Sequence, residues 1–434
     1  MLPHPGTHMT PATIFLALAL ATSAPVPKAP ANAGWPQWRG PNRDGVSTET
    51  GLLQTWPKDG PKKDWTVSGC GGGYSTVAVV GGFIYGSGRT GNNDTIWCRK
   101  EATGEEVWNK PFSEAKKVGY DEGPRSTPTV ADDKLYCVSP GGDLVCLKAK
   151  DGEKVWGKSY TKDFEGKVQN WGYAESVLVD GDKVVCTPCS DRHALVALEA
   201  DTGKTVWSCS VKSAGGSGGY SSATKMTVGK TDMYVTLLGK SGGVVGVDAK
   251  TGKQLWSYNK VMNGTANIPT PVVKDDLVWC STGYQDGGSA LLKIKEDGGT
   301  FTAEELKYYP SKELQNHHGG MVLVGDYVYF GNAHNNGHPA CVEMKTGEIK
   351  WKQTKDAGGG ARSGCVVYAD GMLYYRYENG KMALVKASPE KYEEAGSFDI
   401  PEKSGKASWQ HPVVANGKLY IRDQDRLHCF DVKK

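Results

Sequence analysis

The sequence predicts an all-β protein, an eight-bladed β-propeller of four-stranded antiparallel blades, and three observations carry that prediction. First, a strand, a tight turn and a second strand ending in tryptophan recur at residues 101–108, 149–156, 197–207, 249–256 and 344–351. Each copy has a glycine four residues before Trp108, Trp156, Trp207, Trp256 or Trp351, as a two-residue hairpin reversal requires. The tryptophan-to-tryptophan steps are 48, 51, 49 and 95. The last is about twice the others, so one copy between Trp256 and Trp351 lacks its indole. A period of roughly 40–50 residues built from strands and turns is the mark of a propeller blade.

Second, an apolar run ending in a turn and then, in most copies, an aromatic residue appears eight times: Val79 to Tyr85, Val130 to Tyr136, Val179 to Val185, Val228 to Tyr234, Val273 to Trp279, Leu323 to Tyr329, Tyr368 to Tyr374 and Val414 to Tyr420. The copy at 267–310 has an extended polar turn at Glu296-Asp297-Gly298-Gly299 and a degraded last strand, and the copy at 360–401 is degraded around Ala387 to Tyr392. Third, the eighth copy ends at Cys429-Phe430-Asp431, after its third strand. Trp65, in Asp64-Trp65-Thr66-Val67, has the character of the repeat tryptophan but no hairpin before it. This segment is expected to supply the missing outer strand and close the ring, which removes open sheet edges.

Along the chain, residues 1–33 read as a signal peptide or disordered leader: Ile14 to Ala21 is apolar and Ala31-Asn32-Ala33 is an A-x-A site, although no Lys or Arg precedes the apolar run. Residues 34–63 form an arm whose Trp35 to Gly45 run, W-P-Q-W-R-G-P-N-R-D-G, is too rich in indoles to stay free and is expected to pack on the propeller as a strap. Residues 64–434 are the propeller. No stretch is long enough to span a bilayer as a helix. A formal charge of +3 gives no electrostatic case for nucleic acid. The expected location is the periplasm or the outside of the cell, and the expected state is a monomer.

The eleven cysteines cannot all pair within the chain. Cys98, Cys146 and Cys341 each stand six residues before a turn glycine, while Cys137, Cys186 and Cys280 follow strand runs. Small buried packing is the reading. Cys186-Thr187-Pro188-Cys189 has redox spacing without a following helix, Gly215 to Gly219 spells G-x-S-x-G in a connector, and Asn93 and Asn263 begin sequons.

Counting back from the aromatic markers, the inner strands begin near Tyr74, Arg125, Glu175, Tyr220, Asn267, His318, Arg362 and Gln410-His411. With Trp171, these form the candidate ligand-binding rim, a polar funnel suited to a small ligand or a peptide tail. Four of the nine histidines, His317, His318, His334 and His338, fall in the sixth blade and form a candidate transition-metal site. Trp65, Trp108, Trp156, Trp207, Trp256 and Trp351 are assigned as structural wedges between blades.

Residues 200–207, with their relatives at 249–256 and 344–351, resemble the tryptophan-docking repeat of the pyrroloquinoline quinone (PQQ) propeller superfamily, and the Trp35 to Gly45 run resembles exported PQQ-like propellers of bacteria. That superfamily includes quinoprotein alcohol dehydrogenases and cofactor-free members such as the outer-membrane assembly factor BamB. The resemblance implies, for a dehydrogenase, a carboxylate and an amide on calcium, an aspartate base, an arginine near the quinone, an indole floor and a disulfide between adjacent cysteines. Glu175, Asn267, Arg362 and Trp171 are candidates for the first kinds of role. The chain has no Cys-Cys pair, and His317-His318 stand where the base is sought. The expectation is therefore a non-catalytic module with no cofactor that binds a protein, a peptide or a small ligand. The alternative is a PQQ- and calcium-dependent alcohol or sugar dehydrogenase.

Overall fold

A computed structural model describes Met1 and residues 34–212, 219–239 and 242–434. The strands form eight four-stranded antiparallel sheets, seven of them paired in sequence order and the eighth joining the two ends of the described propeller. Blades 1 to 7 cover residues 78–114, 129–159, 178–209, 224–258, 272–310, 322–352 and 364–399. Blade 8 takes its inner three strands from Val413–Ala415, Lys418–Asp423 and Arg426–Asp431, and its outer strand from Lys62–Val67. Trp65 pairs with Cys429, so the ring closes as the third observation predicts. Among the described residues, helix is confined to Tyr160–Asp163 and a 3-10 turn at Ala357–Gly359.

The repeat tryptophans lie between blades. The Trp108, Trp156 and Trp207 indole N–H groups donate to the carbonyls of Ala149, Ala200 and Ala249 in the next blade, at 3.2, 2.8 and 3.3 Å. Trp351 donates to Ser388 at 2.9 Å. The turn glycine of the following blade lies on the same ring: a Cβ on Gly252 would stand 2.6 Å from the Trp207 indole, and one on Gly203 2.7 Å from that of Trp156. These positive-φ glycines are needed both for the reversal and for the close approach.

Two blades lack the indole and differ from expectation in how. In blade 5 the outer strand, Thr300–Pro310, is the longest in the ring at 11 residues, so the motif is lost but the strand is not. Lys307 stands at the tryptophan position, opposite Leu291, and the second strand of that blade carries a fully buried Trp279. In blade 7 the position falls to Gly396, opposite Leu384. There the arm intervenes. Trp56 packs on Gly396, whose Cβ would lie 2.8 Å from the Trp56 Cβ, and meets Tyr374 and Phe398 edge-on at 5.5 and 5.2 Å.

The rest of the arm crosses one mouth of the central channel. Trp35 exchanges two 2.8 Å backbone hydrogen bonds with Val79 of blade 1, and the Pro36 carbonyl accepts from Val130 of blade 2. The Arg43 guanidinium donates to the carbonyls of Ser176, Val177 and Ala223, and that of Arg39 to the carbonyl of Met321. Burial lowers both guanidinium pKa values, to about 9 for Arg43 and about 10 for Arg39, so both remain charged at neutral pH. Ser47 and Tyr368 pair across blade 7, and Leu53 donates to Val432 beside blade 8.

Around the channel a belt of hydroxyls ties consecutive blades. The backbone N–H of Thr76 donates to Thr127, that of Thr127 to Ser176, that of Ser176 to Ser222 and that of Ser222 to Thr270, at 3.1, 2.9, 2.9 and 3.3 Å. The Thr76 hydroxyl donates to the His411 carbonyl at 2.6 Å and joins blade 1 to blade 8. This belt fixes the depth at which the residues just before it enter the channel.

Candidate functional site

Above the belt the channel opens into a funnel of about 620 Å³. Trp38 of the arm is its floor, with Arg39 and Arg43 stacked on that indole at 5.4 and 5.9 Å. The residues two before the belt positions Thr76, Thr127, Ser176, Ser222 and Thr270 are Tyr74, Arg125, Ala174, Tyr220 and Ile268, and all five line the funnel, as do His318 ahead of blade 6 and Trp409 ahead of blade 8.

The structure brings seven of the ten rim candidates to the funnel: Tyr74, Arg125, Trp171, Tyr220, His318, Arg362 and His411. Glu175, Asn267 and Gln410 are not among the lining residues; they are buried among the blades. Each is one residue after a lining residue, and a slip of one residue turns a strand side chain to the opposite face. Glu175 Oε1 accepts from the Tyr160 hydroxyl and the Thr187 N–H, both at 2.7 Å, and burial raises its pKa. The Asn267 amide is bonded to the Asn263 backbone at both ends. Gln410 donates to the Gly73 carbonyl and accepts from Ser408.

Sequence reasoning missed Trp38, Tyr120, Tyr284, Glu378 and Trp409. A constant interval was the available signal. Tyr74, Arg125 and His318 each stand eleven residues before Tyr85, Tyr136 and Tyr329. The same count back from Val185, Trp279 and Tyr420 reaches Ala174, Ile268 and Trp409. Tyr120, Tyr284 and Glu378 come from loops outside the repeat and had no such signal.

The wall is a column of rings. Tyr284 meets His334 at 4.5 Å, His334 meets His317 at 4.0 Å, and His317 stacks on His318 at 3.9 Å. His318 meets Trp409 at 4.6 Å, and Trp409 stacks on Tyr74 at 4.7 Å. Arg125 lies over the Tyr74 ring at 5.1 Å, with three of its five N–H donors on the carbonyls of Gly119, Tyr120 and Gly123. The lining carboxylate is Glu378, which accepts from the Trp409 indole at 2.8 Å and pairs with Arg362 at 3.0 Å. Burial holds His317 and His411 down to about 3, with the His334 and Arg39 charges adding to it. His318 is also held well below its ordinary value by burial and neighbouring imidazoles. At neutral pH these three imidazoles are uncharged.

The four histidines proposed for a metal do not converge. His338 leaves the group to bond Asp356 at 2.6 Å, and of the other three His317 stacks on His318 while His334 lies tilted against His317. Among the described residues no group of three or more His, Cys, Asp or Glu is placed to hold a metal ion. A calcium-bound quinone fits no better: the candidate carboxylate Glu175 and amide Asn267 are committed elsewhere, and no aspartate lines the funnel. All eleven cysteines are buried and free. Asn263 is 1% exposed with its amide bonded to the Ala266 carbonyl, so its sequon presents no free acceptor. The G-x-S-x-G serine and the leader call lie outside the described residues.

The sequence model of the family described as outer membrane protein assembly factor BamB matches residues 92–353. The chain belongs to that family. Its curated relatives fall into two kinds. It is 26% identical over 268 residues to the dehydrogenase subunit of a quinone alcohol dehydrogenase of Acetobacter aceti, covering 57% of this chain and 35% of that one. It is 24% identical over 234 residues to outer membrane protein assembly factor BamB of Shewanella oneidensis, covering 52% of this chain and 56% of that one. The chain thus spans about a third of that dehydrogenase subunit and just over half of that assembly factor. In three dimensions it is similar to BamB from Moraxella catarrhalis, with a TM-score of 0.59, 15% identity and coverage of 86% of this chain and 97% of that one. It is likewise similar to quinohemoprotein alcohol dehydrogenase from Comamonas testosteroni, with 0.62, 14%, 92% and 81%. Likeness at such identity speaks for the propeller alone. Among the described residues no helix is long and apolar enough to cross a membrane.

Proposed function

We propose that the chain is an exported, non-catalytic binding propeller, acting in the periplasm or outside the cell as a monomer, whose aromatic funnel receives a small ligand or the end of a protein or peptide partner. The observation that carries this reading is the state of the funnel's acid–base groups. Glu378 is held by an indole and a guanidinium. His317 and His411, with pKa values near 3, are weak bases at neutral pH, where a general base works best with a pKa close to the working pH. Rings and a closed floor remain, which suits binding.

The dehydrogenase relatives favour the competing reading, a PQQ- and calcium-dependent oxidation of alcohols or sugars. Purified protein mixed with PQQ and calcium separates the two. The expected outcome is no retained chromophore and no dye reduction with alcohols or sugars; stoichiometric uptake with turnover overturns the proposal.

A further inference from the structure

Resting on that reading and narrowing it, we infer that the funnel's ligand is a neutral saccharide, its apolar ring faces laid on the column of aromatic side chains and its hydroxyls answered by the imidazoles of that column.

Four features point to this chemistry. The wall offers ring faces in quantity, and the funnel's volume falls in the range of small-ligand sites, which pair apolar walls with a few fixed polar groups. Among the lining residues the buried polar atoms without a hydrogen-bond partner are all imidazole nitrogens: His317 Nε2, His318 Nδ1, His334 Nδ1 and His411 Nδ1. His317 and His411 are only 8% and 7% exposed and still line the funnel. Unsatisfied buried nitrogens are uncommon in folded proteins and call for an explanation. A neutral imidazole presents one donor and one acceptor, and a hydroxyl can play either part, so a polyol suits such a row whichever tautomer each ring holds.

Charge excludes the neighbouring classes of ligand. A cation entering an aromatic cage would meet Arg125 and Arg362, against one carboxylate already shared between Arg362 and Trp409. An anion would find Arg125 with three of its five N–H donors held by carbonyls, Arg362 already paired with Glu378, and a row of uncharged histidines. At the mouth, the Arg362–Glu378 pair offers planar donors and acceptors together, which again suits hydroxyls. The floor made by Trp38 prevents a chain from threading through, so the ligand is compact or enters by an end.

The test screens the full chain on an array of neutral glycans beside a proline-rich peptide, then titrates the best glycan by calorimetry. At least one glycan is expected to bind one per chain, and His317→Ala and Trp409→Ala are each expected to weaken it at least tenfold. Arg362→Ala, on an exposed side chain whose loss should leave the fold intact, is expected to weaken it several-fold. Absence of glycan binding, or binding unchanged in all three variants, overturns the inference. Peptide binding without glycan binding overturns the saccharide and leaves the binding reading standing, whereas no binding to either probe overturns both.

Discussion

Opposite each repeat indole, the neighbouring strand carries a side chain small enough to admit it. Cys98, Cys146, Ala197, Gly246, Cys341 and Cys429 face Trp108, Trp156, Trp207, Trp256, Trp351 and Trp65. Where the indole is missing, the facing residue grows to Leu291 or Leu384. A small partner thus accompanies each indole and a larger one its absence, with Trp56 of the arm filling the space left in blade 7, as close packing of the interior demands. The cysteines are explained by this exchange, and a Cβ on Gly246 would lie 2.1 Å from the Trp256 ring nitrogen. Removing one indole opens a cavity that no neighbour can fill. A tryptophan buries on the order of 150–250 Å², and Trp207→Ala is expected to cost about 3–5 kcal/mol, read as a lowered denaturant midpoint. A midpoint equal to that of the parent chain would remove Trp207 from between the blades. The pairing was legible in part: the tryptophan period and the cysteine spacing were both visible, but which cysteine faced which tryptophan depended on a bulge that shifts the register beside each indole.

At the scale of the element, the arm does for blade 7 what a fourth-strand indole does elsewhere. Tyr374 occupies the place that Tyr85, Tyr136, Tyr329 and Tyr420 hold in their blades, and each of those meets its indole at 5.9–6.2 Å. Trp56 meets Tyr374 at a similar distance while entering from 340 residues earlier in the chain, 396 minus 56. Trp56→Ala is expected to destabilise by about 3–5 kcal/mol, and hydrogen exchange is expected to quicken first in Glu394–Asp399. Thr55→Ala, at an exposed neighbour, serves as the control and should leave both unchanged. Composition alone said that Trp35 and Trp38 would not be left in solvent, yet nothing in the repeat said that Trp56 would complete a blade. Tertiary substitution of this kind leaves no periodic trace. The funnel rim was legible at Tyr74, Arg125 and His318, where the interval from the aromatic marker held at eleven, and the count of ten or twelve that chose Glu175, Asn267 and Gln410 fell beside a lining residue.

For the molecule as a whole, His317 and His411 at the channel and His428 inside blade 8 are buried histidines that shape the response to acid. His317 and His411 titrate near 3 and His428 near 4, chiefly because burial disfavours the charged ring. In the unfolded chain each binds its proton near 6.5. Between these limits the unfolded state holds more protons, so stability is full above about 6.5 and falls as pH drops toward 4, by up to about 1.4 kcal/mol per pH unit for each histidine. Glu175, Asp44, Asp94 and Asp356, whose pKa values burial raises, oppose this over their own ranges. Denaturant midpoints at pH 7 and pH 4.5 should differ steeply, and His411→Asn should flatten the difference; an unchanged slope would exclude His411 as a contributor. The ring itself carries a further consequence. Because Trp65 finds its partner only once Cys429 has been made, the last sheet stays incomplete through the synthesis of the seven other blades. A ribosome-bound intermediate would hold Lys62–Val67 as an unmatched ribbon, open to the wrong chain. The same contact that leaves the finished protein without a loose border makes its birth the moment of greatest exposure.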